Sequence, residues 1–103
     1  MNRPIAILGG TGPAGQGLAL RWARAGQTII IGSRDAHRAQ ECVAQLKSRA
    51  GDAAKISGME NSAACAAADI LVLTVPFEGQ APFIKQLKPV IASGSILIDA
   101  ILS

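Results

Sequence analysis

Aromatic and charged residues are both scarce in this sequence. Of its 103 residues only 3% are aromatic, none is a tyrosine, and 17% are charged. Because half of the residues are apolar, the composition fits a globular domain and argues against intrinsic disorder. With so few aromatic side chains, the core is expected to be aliphatic and rich in alanine, as in layered α/β proteins.

Cysteine and histidine are too few for several kinds of site. The chain has two cysteines, Cys42 and Cys65, and one histidine, His37. Two widely spaced cysteines provide neither a disulfide framework nor metal-ligand spacing, so a reducing compartment is the simple inference. Each cysteine lies in an alanine-rich segment, where a free thiol behaves as a small apolar group. We expect His37 to be an exposed helix residue, and no Ser/His/Asp or Cys/His set for nucleophilic catalysis is present.

Long apolar runs and dense basic clusters are also missing. No apolar run approaches the ~20 residues that cross a bilayer, and a strand-like segment stands where a signal peptide would be. The net charge of +3 is mild, and no basic cluster interleaved with aromatic residues indicates nucleic-acid binding. We therefore expect a cytoplasmic protein with neither a membrane nor a nucleic acid as its partner.

Short apolar runs alternate with helical patterns along the chain. Strands are expected at residues 5–8, 28–31, 70–75 and 96–98, with a weak one at 55–57. The runs are continuous rather than alternating, which is typical of strands buried on both faces of a parallel sheet. Strand-helix alternation from the start of the chain predicts an α/β fold: a Rossmann-type doubly wound parallel sheet in a single three-layer α/β/α domain over residues 1–103.

Two further expectations concern the helices. In the first helix Leu18, Trp22 and Ala25 fall on one face, which is expected to pack on the sheet. Later helices are expected at about residues 62–67 and 78–88, the second of them ended by Pro89.

The first loop reads GTGPAG at residues 10–15 and matches the pattern G-x-G-x-x-G. The pattern alone is weak evidence, but here it follows an apolar strand and opens an amphipathic helix, the context of a dinucleotide-binding loop. Gly10 would allow the tight turn, Gly12 the approach of a pyrophosphate, and Gly15 close packing of the helix. Pro13 suits the first helical turn. The alternative is a turn that only packs strand against helix, and the context favours the phosphate site.

The residues at the end of the second strand are expected to determine whether the site prefers NAD or NADP. In dinucleotide-binding sheets an acidic residue there accepts hydrogen bonds from the 2′-OH of NAD. This sequence has Ser33 and Arg34 instead, with Arg38 four residues further on, and a guanidinium matches the 2′-phosphate of NADP. Asp35 could select NAD if the strand ended one residue later, but we interpret it as a helix N-cap. A purely surface role for Ser33, Arg34 and Arg38 is the other alternative.

The segments LGGTG, GLALR, IIGSR, AGDA, ISGMEN and ADILVLTVPFE occur in this order and cover nearly the whole chain. In these segments the chain resembles the NADPH-dependent reductases of the deazaflavin coenzyme F420, also called F420-dependent NADP oxidoreductases. The resemblance implies an enzyme that transfers a hydride between NADPH and F420. It also implies that Thr11, Ser33 and Arg34, helped by Arg38, hold the 2′-phosphate. Residues 74–77 would line the path to the nicotinamide.

The predicted cofactor-binding residues are therefore Gly10, Thr11, Gly12, Pro13, Ala14, Gly15, Ser33, Arg34, Arg38, Thr74, Val75, Pro76 and Phe77. No catalytic or metal-binding residue is predicted, because the two cofactors would supply the chemistry. The resemblance further implies a homodimer and a C-terminal domain, which is expected to be absent from this chain.

Two other functions fit parts of the same sequence. TGPAGQG is similar to the TGxxGxxG loop of short-chain dehydrogenases, some relatives of which only sense NADP(H). Its glycines fall at positions 12, 15 and 17 rather than 12, 15 and 18, and no Tyr-x-x-x-Lys pair is present. A methyltransferase with a similar loop would usually carry an acidic residue at the end of the second strand, which is lacking here.

Overall fold

A computed structural model describes residues 3–74, 77–91 and 94–99, without the side chains of residues 77–80 and 99. Its elements in chain order are β1 (Ile5–Leu8), α1 (Pro13–Arg24), β2 (Ile29–Ser33), α2 (Ala36–Ala50), β3 (Ile56–Glu60), α3 (Asn61–Ala67), β4 (Ile70–Leu73), α4 (Phe77–Leu87) and β5 (Ile96–Asp99). A 3-10 turn, Lys88–Val90, follows α4.

The strands of the described chain form one parallel sheet in the order β3-β2-β1-β4-β5. The chain therefore starts in the middle of the sheet, winds outward to β3, and then returns to continue on the other side. Helices α1 and α2 cover one face of the sheet, and α3 and α4 cover the other. This is the strand order of the Rossmann fold. The predicted doubly wound, three-layer α/β architecture is confirmed.

Successive residues of the central strands serve opposite faces of the sheet. Ile7 of β1 and Val72 of β4 belong to the core beneath α1 and α2. Their neighbours Leu8 and Leu73 belong to the core beneath α3 and α4. Because helices cover both faces, every position of these strands tends to be apolar, which explains the continuous apolar runs in the sequence.

Helix α1 turns a different face to the sheet from the one predicted. Its buried residues are Gly15, Ala19, Leu20 and Ala23. Leu18 and Trp22 are only partly buried and pack at the edge of the core, and Ala25 is exposed and ends the helix. The prediction chose the largest apolar side chains. The small ones face the sheet instead, because they allow the helix axis to come close to it.

Several element boundaries also differ from the predictions. Strand β2 continues through Ser33, and β3 is a full strand that continues through Glu60. The weak pattern of β3 comes partly from Gly58, where a Cβ would lie 2.7 Å from the carbonyl oxygen of Ala39. Glycine at this position therefore lets α2 lie directly on the strand. Strand β4 ends at Leu73, before Thr74.

The remaining predictions about the fold concern the last helix, the two cysteines and His37. Helix α4 spans Phe77–Leu87, within one residue of the prediction at each end, and it contains Pro82. Cys42 and Cys65 are free and buried, one in each core, as expected from their surroundings. His37 is exposed, as expected. Among the helices described, none combines the length and apolar character needed to cross a membrane.

Candidate functional site

The loop between β1 and α1 presents unpaired backbone N–H groups at the start of the helix. Gly12 is the N-cap and Pro13 is the first helical residue. Within the described residues, no hydrogen-bond partner accepts from the N–H groups of Thr11, Gly12, Ala14 and Gly15. Together with the helix dipole, such groups place positive partial charge at the helix N-terminus and favour an anion there.

Three glycines shape this loop by different means. Gly9 makes the tight turn with a φ of +69°, so the prediction that gave this role to Gly10 is wrong. Gly10 is needed for close contact, because a Cβ there would lie 2.7 Å from the carbonyl oxygen of Ile7. At Gly12 a Cβ would meet nothing within 4 Å. The outer side of the loop is therefore open to a ligand.

Two hydrogen bonds tie the loop to the neighbouring elements β2 and α3. The N–H of Gly9 donates to Oδ1 of Asn61 at 3.2 Å, and the N–H of Gly10 donates to the carbonyl oxygen of Gly32 at 2.9 Å. These bonds occupy the N–H groups of Gly9 and Gly10, which are the first two donors of the loop. The donors that remain unpaired come later, on the side that faces the open cleft.

Thr74 anchors the loop from the β4 side. Its hydroxyl lies 2.8 Å from the carbonyl oxygen of Leu8 and 3.1 Å from that of Gly9, so it can donate to either. Its own N–H donates to the carbonyl oxygen of Leu8 at 3.2 Å. From the first turn of α1, Nε2 of Gln16 donates to the carbonyl oxygen of Thr11 at 2.6 Å. The loop is thus held on both sides by polar contacts.

The end of β2 presents a hydroxyl and two guanidinium groups. Ser33 is buried, and its Oγ accepts a hydrogen bond from the N–H of Asp35 at 3.3 Å. Asp35 is the N-cap of α2, and its Oδ1 accepts from the N–H of His37 at 2.9 Å, as interpreted from the sequence. Arg34 and Arg38 are exposed. In the part of the chain that the structure describes, neither forms an ion pair with a carboxylate.

Most of the predicted residues line one cavity of about 610 Å³. They are Thr11, Gly12, Pro13, Ala14, Gly15, Ser33, Arg34, Arg38 and Thr74. Gly10 lies in the loop without lining this cavity. Phe77 begins α4, but its side chain is not described, and Val75 and Pro76 lie outside the described residues. The fold therefore brings the end of β2, the glycine loop and the end of β4 to one cleft.

Some residues of the cleft were not predicted from the sequence. Asn61 lines the cavity although it belongs to α3, and Phe83 and Gln86 reach it from α4. Asn61 directly follows β3, so a clearer strand pattern would have placed it at the same sheet edge as Ser33. For the residues of α4 the sequence gives no signal, because only the packing of the helix brings them to the cleft.

The parallel sheet, its strand order and the glycine loop together define a Rossmann-type domain. Solved structures agree. The chain matches (S)-3-hydroxybutyryl-CoA dehydrogenase from Ralstonia eutropha with a TM-score of 0.76 at 21% identity, over 96% of this chain and 41% of that one. It matches lactate dehydrogenase from Cryptosporidium parvum with a TM-score of 0.78 at 14% identity, over 96% of this chain and 37% of that one. At such identities the likeness shows the fold alone.

Sequence comparison is more specific. Residues 4–102 match the family described as NADP oxidoreductase, coenzyme F420-dependent, and the chain belongs to this family. The resemblance stated from the sequence segments is thereby confirmed.

Two relatives in this family are both F420-dependent NADP reductases. The protein from Methanothermobacter thermautotrophicus is 43% identical over 101 residues, which are 97% of this chain and 43% of that protein. The one from Methanocaldococcus jannaschii is 46% identical over 87 residues, which are 82% of this chain and 39% of that protein. The chain thus spans about two fifths of the length of these relatives.

Proposed function

We propose that this chain is the NADP(H)-binding domain of an oxidoreductase that transfers a hydride between NADPH and coenzyme F420. The observation that carries the proposal is the shared cavity, which combines the unpaired N–H groups of the glycine loop with Ser33, Arg34 and Arg38. Family membership supplies the identity of the two cofactors. We also propose that residues 1–103 form one such domain, which corresponds to about two fifths of the length of the relatives.

The glycine loop would hold the pyrophosphate of the nucleotide. The donors would be the N–H groups of Thr11, Gly12, Ala14 and Gly15, which donate to no competing acceptor among the described residues. Because Gly12 has open space where a Cβ would stand, phosphate oxygens can approach the backbone there. The helix dipole adds about 0.3–1 kcal/mol for an anion at this end of α1.

The end of β2 would hold the 2′-phosphate and so distinguish NADP from NAD. The Oγ of Ser33 already accepts from the N–H of Asp35, so its own proton can be donated to a phosphate oxygen. Arg34 and Arg38 add charge-assisted donors, each worth roughly 1.5–3 kcal/mol. Asp35 also lines the cavity, but its Oδ1 caps α2, and we propose that it does not act as an NAD-selecting acid.

The reacting end of the cofactor would lie toward the end of β4. When bound, NADPH would supply the hydride and the deazaflavin would accept it, so this chain would only bind and orient the nucleotide. Thr74 lines the cavity at that end and holds the loop in place. Val75, Pro76 and Phe77 follow it directly in sequence, and the family resemblance gives them the path to the nicotinamide.

Calorimetry on the 103-residue chain tests the binding part of the proposal. We expect NADP to bind about 100-fold or more tightly than NAD, the difference expected from two charge-assisted hydrogen bonds. Arg34→Ala should remove most of this difference. Arg21→Ala, an exposed arginine in the last turn of α1 that does not line the cavity, should leave it unchanged. A folded chain that gives no heat with millimolar NADP or NADPH would contradict the proposal.

The hydride-transfer part has its own test. Oxidised F420 mixed with NADPH and protein loses its deazaflavin absorbance if the reaction occurs. The assay is informative in the chain extended to the full length of its relatives. Binding of NADP without any change in the deazaflavin absorbance of that longer protein would favour a sensor of NADP(H) instead.

Location and assembly are also proposed. Two buried thiols without a disulfide fit the reducing conditions of the cytoplasm. A homodimer is supported by the apolar outer strand β5, in which Ile96, Leu97 and Ile98 are each 44–51% exposed. Light scattering over a range of concentrations would measure the assembly, and a monomer at every concentration would contradict it.

A further inference from the structure

Asn61 is a buried polar residue at a junction of the fold. It is the first residue of α3, directly after β3, and only 5% of its surface is exposed. It lines the large cavity and also a smaller one of about 270 Å³. Arg34, Phe83 and Gln86 line both cavities as well, so the two adjoin and Asn61 lies where they meet.

The oxygen of the Asn61 carboxamide has a clear structural role. Because the N–H of Gly9 is a donor, the atom 3.2 Å from it must be the oxygen Oδ1, and this fixes the orientation of the amide. The same oxygen would lie 2.6 Å from a Cβ on Gly32. Glycine at position 32 thus makes room for the side chain that holds the turn at Gly9.

The nitrogen end of the carboxamide lacks an acceptor in the described part of the chain. Among the described residues, no acceptor is bonded to the amide nitrogen Nδ2 of Asn61. Nδ2 itself is not enclosed, because among the described residues the buried side-chain atom without a partner is the Oγ of Ser95. An amide donor that faces a cleft is normally satisfied by a ligand or by water. The oxygen is held toward the glycine loop, and the nitrogen remains available to the two cavities that the residue lines.

The smaller cavity indicates which part of a nucleotide comes close. Besides Asn61, its lining combines Arg34, Phe83 and Leu87 with the polar residues Glu60, Ser62 and Gln86. Flat, partly apolar walls with a cation suit a heteroaromatic base. Arg34 also reaches the cavity proposed for the 2′-phosphate, so the base and its ribose would lie on the two sides of Asn61.

We propose that Asn61 positions the glycine loop through Gly9 and donates a hydrogen bond from Nδ2 to the adenosine half of the bound nucleotide. The inference rests on the proposed function. It adds a specificity-determining residue from α3 to a site otherwise built at the ends of β1, β2 and β4. It also gives a role to an amide nitrogen for which the described residues supply no acceptor.

Two variants separate the two roles. Asn61→Asp keeps an oxygen for the N–H of Gly9 but replaces the donor with a carboxylate, whereas Asn61→Ala removes both groups. The matched control is Gln40→Leu, because Nε2 of Gln40 also donates to a backbone oxygen, that of Gly58, but lines neither cavity. The ligands are NADP and 2′,5′-ADP, which contains the adenosine half alone.

Calorimetry and amide hydrogen exchange give the readouts. We expect both Asn61 variants to bind NADP and 2′,5′-ADP at least about ten-fold more weakly, the loss expected for one well-formed hydrogen bond. Exchange at Gly9 should become faster in Asn61→Ala and stay slow in Asn61→Asp. Gln40→Leu should bind both ligands as the unmodified chain does.

Three results would overturn the inference. They are a folded Asn61→Asp chain that binds both ligands within two-fold of the unmodified one, a loss for NADP without a loss for 2′,5′-ADP, and unchanged exchange at Gly9 in Asn61→Ala. If the unmodified chain binds neither ligand, the proposed function fails instead. The two failures are therefore distinguishable.

Discussion

A Cβ atom on Gly15 would lie 2.6 Å from the Cα of Gly10 and 2.8 Å from its carbonyl oxygen. The first turn of α1 therefore rests directly on the loop that precedes it, backbone against backbone. This contact sets the distance between the helix N-terminus and the end of β1. It also determines where the unpaired N–H groups of the loop point.

Gly15→Ala is expected to damage both stability and nucleotide binding. The neighbouring atoms are backbone, so the helix has to shift, and overpacking of this kind costs roughly 1–3 kcal/mol. We expect a lower free energy of unfolding and at least about ten-fold weaker binding of NADP, measured by urea denaturation and calorimetry. Gly17→Ala is the matched control, since a Cβ there meets nothing within 4 Å. It should stabilise α1 by roughly 0.5–1 kcal/mol. The same free energy of unfolding and the same NADP affinity in the two variants would contradict the close contact of Gly15 with Gly10.

Ser33→Asp is expected to shift the preference from NADP toward NAD. The N–H of Asp35 that donates to Ser33 would donate to the new carboxylate, which would then stand where NAD-binding sheets carry an acid. Repulsion of the 2′-phosphate should weaken NADP binding by about 100-fold while NAD binding is kept or improved. Ser48→Asp adds the same charge to an exposed position of α2 outside the cavity and should change neither affinity. Undiminished NADP binding by Ser33→Asp would place the 2′-phosphate elsewhere.

Thr74→Val tests the anchor on the β4 side. The change keeps the shape of the side chain but removes the donor to the carbonyl oxygens of Leu8 and Gly9. We expect the free energy of unfolding to fall by about 1 kcal/mol and the affinity for NADP to fall with it. Thr28→Val is the control, because Thr28 does not line the cavity. Thermal unfolding with and without NADP gives both quantities, and a variant as stable as the unmodified chain would show that the hydroxyl does not hold the loop.

Burial raises the pKa of the Cys42 and Cys65 thiols above their ordinary value of 9.0. The folded chain therefore holds these protons to higher pH than the unfolded chain does. Their contribution to stability is complete below pH 9 and is lost as the pH rises through the folded-state pKa. Above pH 9 we expect the free energy of unfolding to fall less steeply with pH in the double variant Cys42→Ala, Cys65→Ala than in the unmodified chain. Denaturant titrations at several pH values measure this dependence. The same dependence on pH in both proteins would contradict the prediction. In the native chain neither thiol should react readily with a thiol reagent near neutral pH.

The sequence predicts the sheet and the glycine loop well because both depend on local pattern. Continuous apolar runs mark strands such as β1 and β4, which are covered on both faces. The outer strand β3 is harder to recognise, since Gly58 and Ser57 break its apolar run. Only the tight packing of Ala39 on Gly58 explains why a glycine suits that position.

The sequence predicted the site residues that adjoin recognisable strands. It missed residues that reach the cleft only because a helix packs there. Ser33 and Arg34 follow a recognisable strand, so their place at the sheet edge could be inferred. The turn was expected at Gly10, although Gly9 has the left-handed backbone, because the motif does not specify the conformation of each glycine. Asn61 was missed because the apolar pattern of β3, which it directly follows, is weak. Phe83 comes to the cleft through the placement of α4, which no spacing in the sequence encodes.

The segment from Arg34 to Arg38 is exposed at every position, whereas the glycine loop is fixed by contacts on both sides. Apart from changes at Asp35, which caps α2, replacements in the segment remove neither a core side chain nor a cap, and such surface changes typically alter stability by about 0.5 kcal/mol or less. Nucleotide preference could therefore diverge rapidly among descendants of this domain while the loop stays constrained. An exchange of this one short segment would be the simplest route for evolution, or for an engineer, to a different electron donor.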